Sequence, residues 1–417
     1  METRRLDELC VQITDCPHST PQWLSSGKLV LRNFNIHNGR IDLSNVSYTD
    51  DETFFARNKR ATPIPGDIVM SREAPMGEVA IIPNGFECCL GQRMVLLHPD
   101  ATVCNGKFLM YSLLSPFVQK QIKRSDTTGS VVSNLCIPDL CALEIPYVNI
   151  ERQECIVALL SDIDSKIDNN NAIAAELEGM AKDLYDYWFV QFDFPDENGK
   201  PYKSSGGKMV WNEELKREIP EGWEVSQLKD ICFLRNGINY DKNEVGDADF
   251  KIANVRNITA STFLMDVNDF DVIHLKKEKA KQYSLKPEDI VIARSGTPGA
   301  IRLVQNPKND TIFCGFIICC TPKVAKYRNY MAYTLKLFEG TSATKTGGSI
   351  LQNVSQDTLN SLILCIPPDE LIEKFNIMIT SILEEIQNTI NESRELTSLR
   401  DFLLPMLMNG QVKVKGA

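Results

Sequence analysis

A chain of 417 residues with 43% hydrophobic side chains is long enough for two or three domains, and its longest strongly apolar run, IFCGFIICC (312–320), is too short to span a bilayer. METRRLDELC at the start has no apolar signal core. Thirteen cysteines, adjacent at 88–89 and 319–320 but never as CxxC, read as reduced thiols of a cytoplasmic protein rather than a disulfide framework, and four scattered histidines suggest no metal site. The net charge of −10 does not exclude a nucleic-acid ligand, because it divides as −2 over residues 1–148, −8 over 149–221, +3 over 222–366 and −3 over 367–417.

Residues 1–147 carry short β-type runs, DIVMS, VAII and MVLL, broken by Gly, Pro and Asn, which predict a β-rich globular domain. Residues 148–190 predict a long helix, capped by Asn149 with Glu151 in its first turn. Leu160, Ile163, Ile167, Asn170, Ala174, Leu177, Ala181 and Leu184 fall at alternating spacings of three and four, a coiled-coil seam with one polar member. The helix runs into an aromatic patch of Tyr185, Tyr187, Trp188, Phe189, Phe192 and Phe194. The polar, Gly-rich stretch 191–220 reads as a linker. Residues 221–366 predict a second β-rich domain, with runs DIVIA, AIRLV and IFCGFIICC. A second helix over 367–410 begins after Pro367-Pro368 with Asp369 and Glu370 at its head. Its seam is Phe375, Ile379, Ile382, Ile386, Thr389, Ser393 and Leu396. Pro405 is expected to kink or end it and Gly410 to stop it, leaving 411–417 as a tail.

The two halves repeat. LVLRNFNI (29–36) recurs as FKIANVRNI (250–258), and IPGDIVMSREAPMGEVAII (64–82) as LKPEDIVIARSGTPGAIRLV (285–304). Asp67 and Asp289, Arg72 and Arg294, and Gly77 and Gly299 are each 222 residues apart. TTGSVVSNL recurs as KTGGSILQNV, with Ser130 and Ser349 offset by 219, and Pro146 matches Pro367 at an offset of 221. Four blocks in register imply duplication. A helix of about 39 residues would be nearly 60 Å long, more than one globular core needs. The expected fold class is therefore α+β: two pseudo-symmetric β-rich globular domains joined by two long antiparallel coiled-coil helices.

No catalytic motif stands out. GxxxxGK[ST], GxSxG, HExxH and HxE…PCxxC are missing. IPPDE has the prolines of an amino-methyltransferase tetrad but a carboxylate where the stacking aromatic belongs. No cofactor and no catalytic residue are predicted, which leaves a non-enzymatic role.

WFVQFDFP, GKPYKSSGGKMVW and IPEGWEVSQLKDI (219–231), with LLPMLMNGQVKV (403–414) at the far end, resemble the central and terminal regions of the DNA specificity (S) subunits of type I restriction–modification systems. The resemblance covers essentially the whole chain, and the β-rich domains correspond to target-recognition domains. It implies a non-catalytic DNA-binding adaptor whose partners are double-stranded DNA, two methyltransferase (M) subunits that bring S-adenosylmethionine and methylate adenine, and restriction (R) subunits that cleave using ATP. No membrane is implied. Each recognition domain would read one half of a split target, and the helices would set the spacer. Tyr185, Tyr187, Trp188 and Phe189 are candidate docking residues for M subunits, although such rings could instead fold back on the helix pair.

Base readout needs side chains that reach base edges, and affinity needs cations for phosphates. Arg72 and Arg294 follow β-runs, and Gln92-Arg93 has the chemistry for adenine and guanine edges. The loops RSDTTGSVVSN (124–134) and TSATKTGGSILQN (341–353) supply Arg124, Thr127, Ser130, Lys345, Thr346 and Ser349. Residues shared by both domains could equally hold the fold, with the readers in divergent loops such as ARNKRATP (56–63) or HLKKEKAKQ (274–282). A self-sufficient methyltransferase or nuclease fusion, and a coiled-coil scaffold without a DNA role, are the competing readings.

Overall fold

The computed structural model describes residues 2–125, 134–241, 246–339, 354–412 and 414. The chain forms two compact units, one of residues 1–169 with 392–417 and the other of 170–391. Each contains one β-rich domain and a segment of each long helix.

In the first unit an antiparallel sheet runs Cys10–Asp15, Met94–Pro99, Ile68–Ser71, Val79–Ile81. The second unit has the same order in Cys232–Asn236, Ile317–Pro322, Ile290–Ala293 and Ile301–Val304, with Leu264–Met265 added at the edge. Registers correspond as well: Ile68 faces Ile81, and Ile290 faces Leu303. A three-stranded sheet accompanies each, centred on Lys28–Leu31 and on Ala248–Ala253. Each domain closes on itself. Thr3–Arg5 pairs with Glu144–Pro146, and Glu224–Gln227 pairs with Ile363–Ile366. The chain thus enters and leaves each domain at one place, directly before a long helix.

The recurring residues hold this frame. Buried Asp67 accepts the Ile64 amide at 2.9 Å, and buried Asp289 accepts the Lys286 amide at 2.8 Å, each closing the turn into a central strand. Asn35 and Asn257 accept the amides of Arg32 and Asn254 at 3.0 and 2.8 Å, and their side-chain amides donate to backbone carbonyls across a loop. Gly77 and Gly299 sit at φ of 90° and 84°, and each returns a 2.9 Å hydrogen bond to the strand end, Ser71 or Ala293. The repeat seen in the sequence is therefore a repeat of backbone-satisfying side chains.

The first long helix spans Ile150–Tyr185 and continues as a π-turn over Asp186–Val190; the second spans Asp369–Met408. Asn149 receives the Arg152 amide at 3.3 Å as the expected cap. In the first unit Ile156 and Leu160 share a core with Leu404, Leu407 and Met408; in the second Ala181 and Tyr185 share one with Phe375, Ile379, Leu383 and Ile386. Early residues of one helix lie with late residues of the other in both units, so the helices run antiparallel. Leu160, Ile163, Ile167, Asn170 and Ala181 are buried as the seam predicts, while Ala174, Leu177 and Leu184 are half-buried. Leu383, outside the predicted seam, is more buried than Ile382, because each helix packs on a domain as well as on its partner and needs a wider apolar stripe. Of the two outcomes expected at Pro405, an end to the helix is not the one found: the helix runs on through it. Buried Leu404, Leu407 and Met408 anchor the last turn, and Gly410 at φ 76° terminates it.

The aromatic patch turns inward. Tyr185, Trp188, Phe189 and Phe192 are buried against Trp223, Tyr330, Tyr333 and Phe375. Phe189 meets Phe375 edge-on at 4.9 Å, and the Tyr185 hydroxyl lies 2.9 Å from that of Thr334. The expectation that Tyr185, Trp188 and Phe189 anchor a partner is corrected: a ring at most 4% exposed has no face left to offer, and of the four candidate docking residues Tyr187 alone, at 39%, is exposed. The stretch 191–220, expected as a linker, contains a hairpin of Met209–Asn212 with Arg217–Pro220. It also seats Phe194 against Trp223 and Tyr202, stacked at 5.5 and 4.7 Å. All thirteen cysteines are free thiols. Among the described residues no helix is long and apolar enough to cross a membrane.

Phe375→Ala is expected to destabilise the second unit by roughly 3–5 kcal/mol through the cavity it leaves, and the exposed Ile377→Ala by under about 0.5 kcal/mol. Urea unfolding followed by aromatic fluorescence separates the two.

Candidate nucleic-acid interface

Strand Ile68–Ser71 delivers Arg72 to a meeting of three segments. Its amide donates to the Arg93 carbonyl at 2.8 Å, and its carbonyl accepts the Leu135 amide at 3.1 Å. The guanidinium donates to the Leu135 carbonyl at 2.8 Å, to Asp15 at 2.5 Å and to the Asn134 side chain at 3.3 Å. Arg72 is buried, and this charge-assisted set fastens the loops that carry the other candidates. It is committed to the fold rather than turned to solvent, so a direct contact from Arg72 to a base or phosphate, one of the expectations, is withdrawn.

Around this fastening lie polar side chains. Arg93, at φ 68° and exposed, places Nε 3.2 Å from Glu73, and the side-chain amide of half-buried Gln92 donates to the His18 carbonyl. His18 Nε2 is 3.1 Å from Asp15. Arg124 is exposed at the last turn of helix Pro116–Arg124. In ARNKRATP, Arg57 is buried, holding the carbonyls of Leu90, Ser19 and Pro17 at 2.8, 2.9 and 3.1 Å, while Lys59 and Arg60 are exposed. Thr127, Ser130, Lys345, Thr346 and Ser349 lie outside the described residues.

The same backbone frame recurs in the second domain with different side chains. Arg294 donates its amide to the Phe316 carbonyl at 2.8 Å and accepts the Val354 amide at 3.1 Å, as Arg72 does with Arg93 and Leu135. Its side chain differs. Asp15 pairs with Val95, and the corresponding pair is Asn236 with Ile318, so the carboxylate that holds Arg72 has no counterpart there. Arg294 is only half-buried, and among the described residues its guanidinium has no hydrogen-bond partner. Phe316 occupies the place of Arg93 and is 63% exposed. Its turn is fixed by hydrogen bonds from the Gly315 amide to Ile238 at 2.8 Å and from the Ile317 amide to Cys314 at 2.9 Å. Sequence reading missed Phe316 because it lies inside an apolar run; its alignment with Arg93 was the available signal.

A second polar feature of this unit is a cleft of about 710 Å³ lined by Tyr240, Asn254, Arg256, Asp271 and His274. Asp271 accepts Arg256 Nε and Asn254 Nδ2, both at 3.1 Å. Burial pushes the Tyr240 phenol up, and a 2.8 Å hydrogen bond to Asp249 raises His274 above the ordinary imidazole value. In HLKKEKAKQ, Lys276 and Lys277 are exposed. Among the described residues no group of His, Cys, Asp and Glu is arranged to hold a metal ion.

Residues 1–179 and 220–399 match the type I restriction modification DNA specificity domain. The chain is 27% identical over 355 residues to the type I restriction enzyme MjaIX specificity subunit of Methanocaldococcus jannaschii, spanning 84% of this chain and 78% of that protein. It is 21% identical over 404 residues to the HindI specificity subunit of Haemophilus influenzae, spanning 83% and 86%. The fold is shared with the S subunit of a type I restriction–modification system from M. genitalium, at a TM-score of 0.55 and 17% identity over 97% of this chain and 95% of that one.

Arg72→Ala, which strips Asp15 of its guanidinium partner and frees the loop groups at Leu135 and Asn134, is expected to cost about 3 kcal/mol of stability. Arg294→Ala is expected to change stability by less than about 0.5 kcal/mol. Thermal melts of the two variants test this contrast.

Proposed function

The chain belongs to the family of type I restriction–modification DNA specificity proteins, and from that premise we propose that it is the non-catalytic, sequence-reading subunit of such a complex. Each recognition domain reads one half of an asymmetric, bipartite duplex target. The antiparallel helices set the length of the unread spacer, and methyltransferase subunits, two per chain, dock on the helical part. The methyltransferase brings S-adenosylmethionine, restriction subunits join in the full complex, and this chain binds no cofactor of its own.

The observation that carries this reading is one backbone frame presenting different side chains at equivalent places. Arg93, with bidentate chemistry suited to guanine, stands where the second domain has an exposed phenylalanine. Pinned Arg72 stands where the second domain has a guanidinium that no described side chain holds. Equal frames give equal placement on DNA; unequal tips give unequal half-sites. Two such readers meet half-sites separated by roughly one helical turn, about 34 Å, or somewhat more. For methyltransferase docking, Tyr187 and Val190 are the accessible members of the aromatic segment.

Exchanging residues 1–147 for those of a relative is expected to change one half-site and leave the other intact, as read by sequencing methylated DNA; a change in both halves would end the two-reader assignment. Inserting four residues within 160–184 adds about 6 Å and should lengthen the tolerated spacer by about two base pairs; an unchanged spacer would refute the ruler. Arg294→Ala should weaken binding by the reconstituted complex about tenfold and lower its salt slope by about one.

A further inference from the structure

In the first unit one carboxylate of the first long helix is approached from three directions. Asp164 accepts the Tyr111 hydroxyl at 2.5 Å, from helix Gly106–Leu114 of the recognition domain. It accepts Arg400 at 2.9 Å from the second long helix. Arg40, on the small hairpin of Ile36–His37 with Arg40–Ile41, comes within 3.8 Å and pairs with Asp168 one turn further along. That hairpin is itself tied to the main sheet, through the Gly39 amide to Val79 at 2.9 Å and the Asn38 amide to Glu78 at 3.0 Å. Asp164 therefore links the sheet, the domain helix and both long helices. Burial first, and the carboxylate second, push the Tyr111 phenol up, keeping it a donor.

The second unit solves the same junction differently. Tyr333, 222 residues after Tyr111, packs its ring on Phe263 at 4.5 Å and stacks on Tyr185 at 5.6 Å. Apolar contact is non-directional and tolerates small rotations, whereas charge-assisted hydrogen bonds converging on one carboxylate fix an angle.

We propose that Asp164 is a positioning residue that fixes the angle of the first recognition domain on the helix pair and so restricts the spacer length accepted in the DNA target. This inference rests on the two-reader function above. The test uses the full chain reconstituted with its methyltransferase and compares wild type, Asp164→Asn and Tyr111→Phe. The substrates are duplexes with both half-sites intact and a spacer of native length, or one base pair shorter or longer. The readouts are methylation rates, half-site preference and the unfolding midpoint. The expected result is a fall in the native-to-altered spacer ratio of at least about threefold, with half-site preference unchanged. Equal slowing on all spacers, or an unchanged ratio, would overturn the proposal. If Asp164→Asn does not fold, Tyr111→Phe, which removes a single hydroxyl, decides by the same ratio. A wild-type complex with no preference for any bipartite sequence would instead sink the two-reader function, and the inference with it.

Discussion

The pairing of the first strand of each β-rich domain with its last is the constraint on which the rest of this structure depends. It brings the ends of each domain of nearly 150 residues onto adjacent strands, Thr3–Arg5 beside Glu144–Pro146 and Glu224–Gln227 beside Ile363–Ile366. A domain closed in this way is carried by the helix that follows it. Its distant loops can then differ without disturbing the carrier. Loops built on a rigid scaffold are where recognition is most easily varied.

Inside that closure the frame is held by a small set of buried polar groups. Asp67 and Asp289, with Asn35 and Asn257, accept backbone amides at part-buried turns, and Gly77 and Gly299 supply the positive φ that their turns require. They recur because the backbone recurs. Arg72 and Arg294 show the limit of such equivalence: their backbone hydrogen bonds match, but their guanidinium groups do not. A charged side chain that finds Asp15 and two loop groups is buried and structural, and one in whose domain Asn236 takes the place of that aspartate stays half-buried. The same frame thus supports unlike surfaces.

The helices join these domains through unlike seats. In the second unit a cluster of Tyr185, Phe189, Tyr330, Tyr333 and Phe375 covers the junction. In the first, the polar node at Asp164 adds directional bonds to an aliphatic core. The inward turn of the aromatic segment follows from hydrophobic burial, since the rings find partners within their own unit and leave Tyr187 at the surface.

Duplication, the β-rich character of both domains, the two long helices and the seam from Leu160 to Ala181 were all legible in the sequence. Each is a matter of periodicity or repeated order, and periodicity reports local geometry. The burial of Arg72, the exposure of Phe316 and the inward face of Tyr185, Trp188 and Phe189 were decided only by tertiary structure. Each depends on a neighbour far away in the chain: Asp15 lies 57 residues from Arg72, and Thr334 lies 149 residues from Tyr185. Spacing tells which residues share a face; it does not tell whether a charge on that face meets a carboxylate or water, and that difference separates a residue that holds the fold from one left to read a ligand.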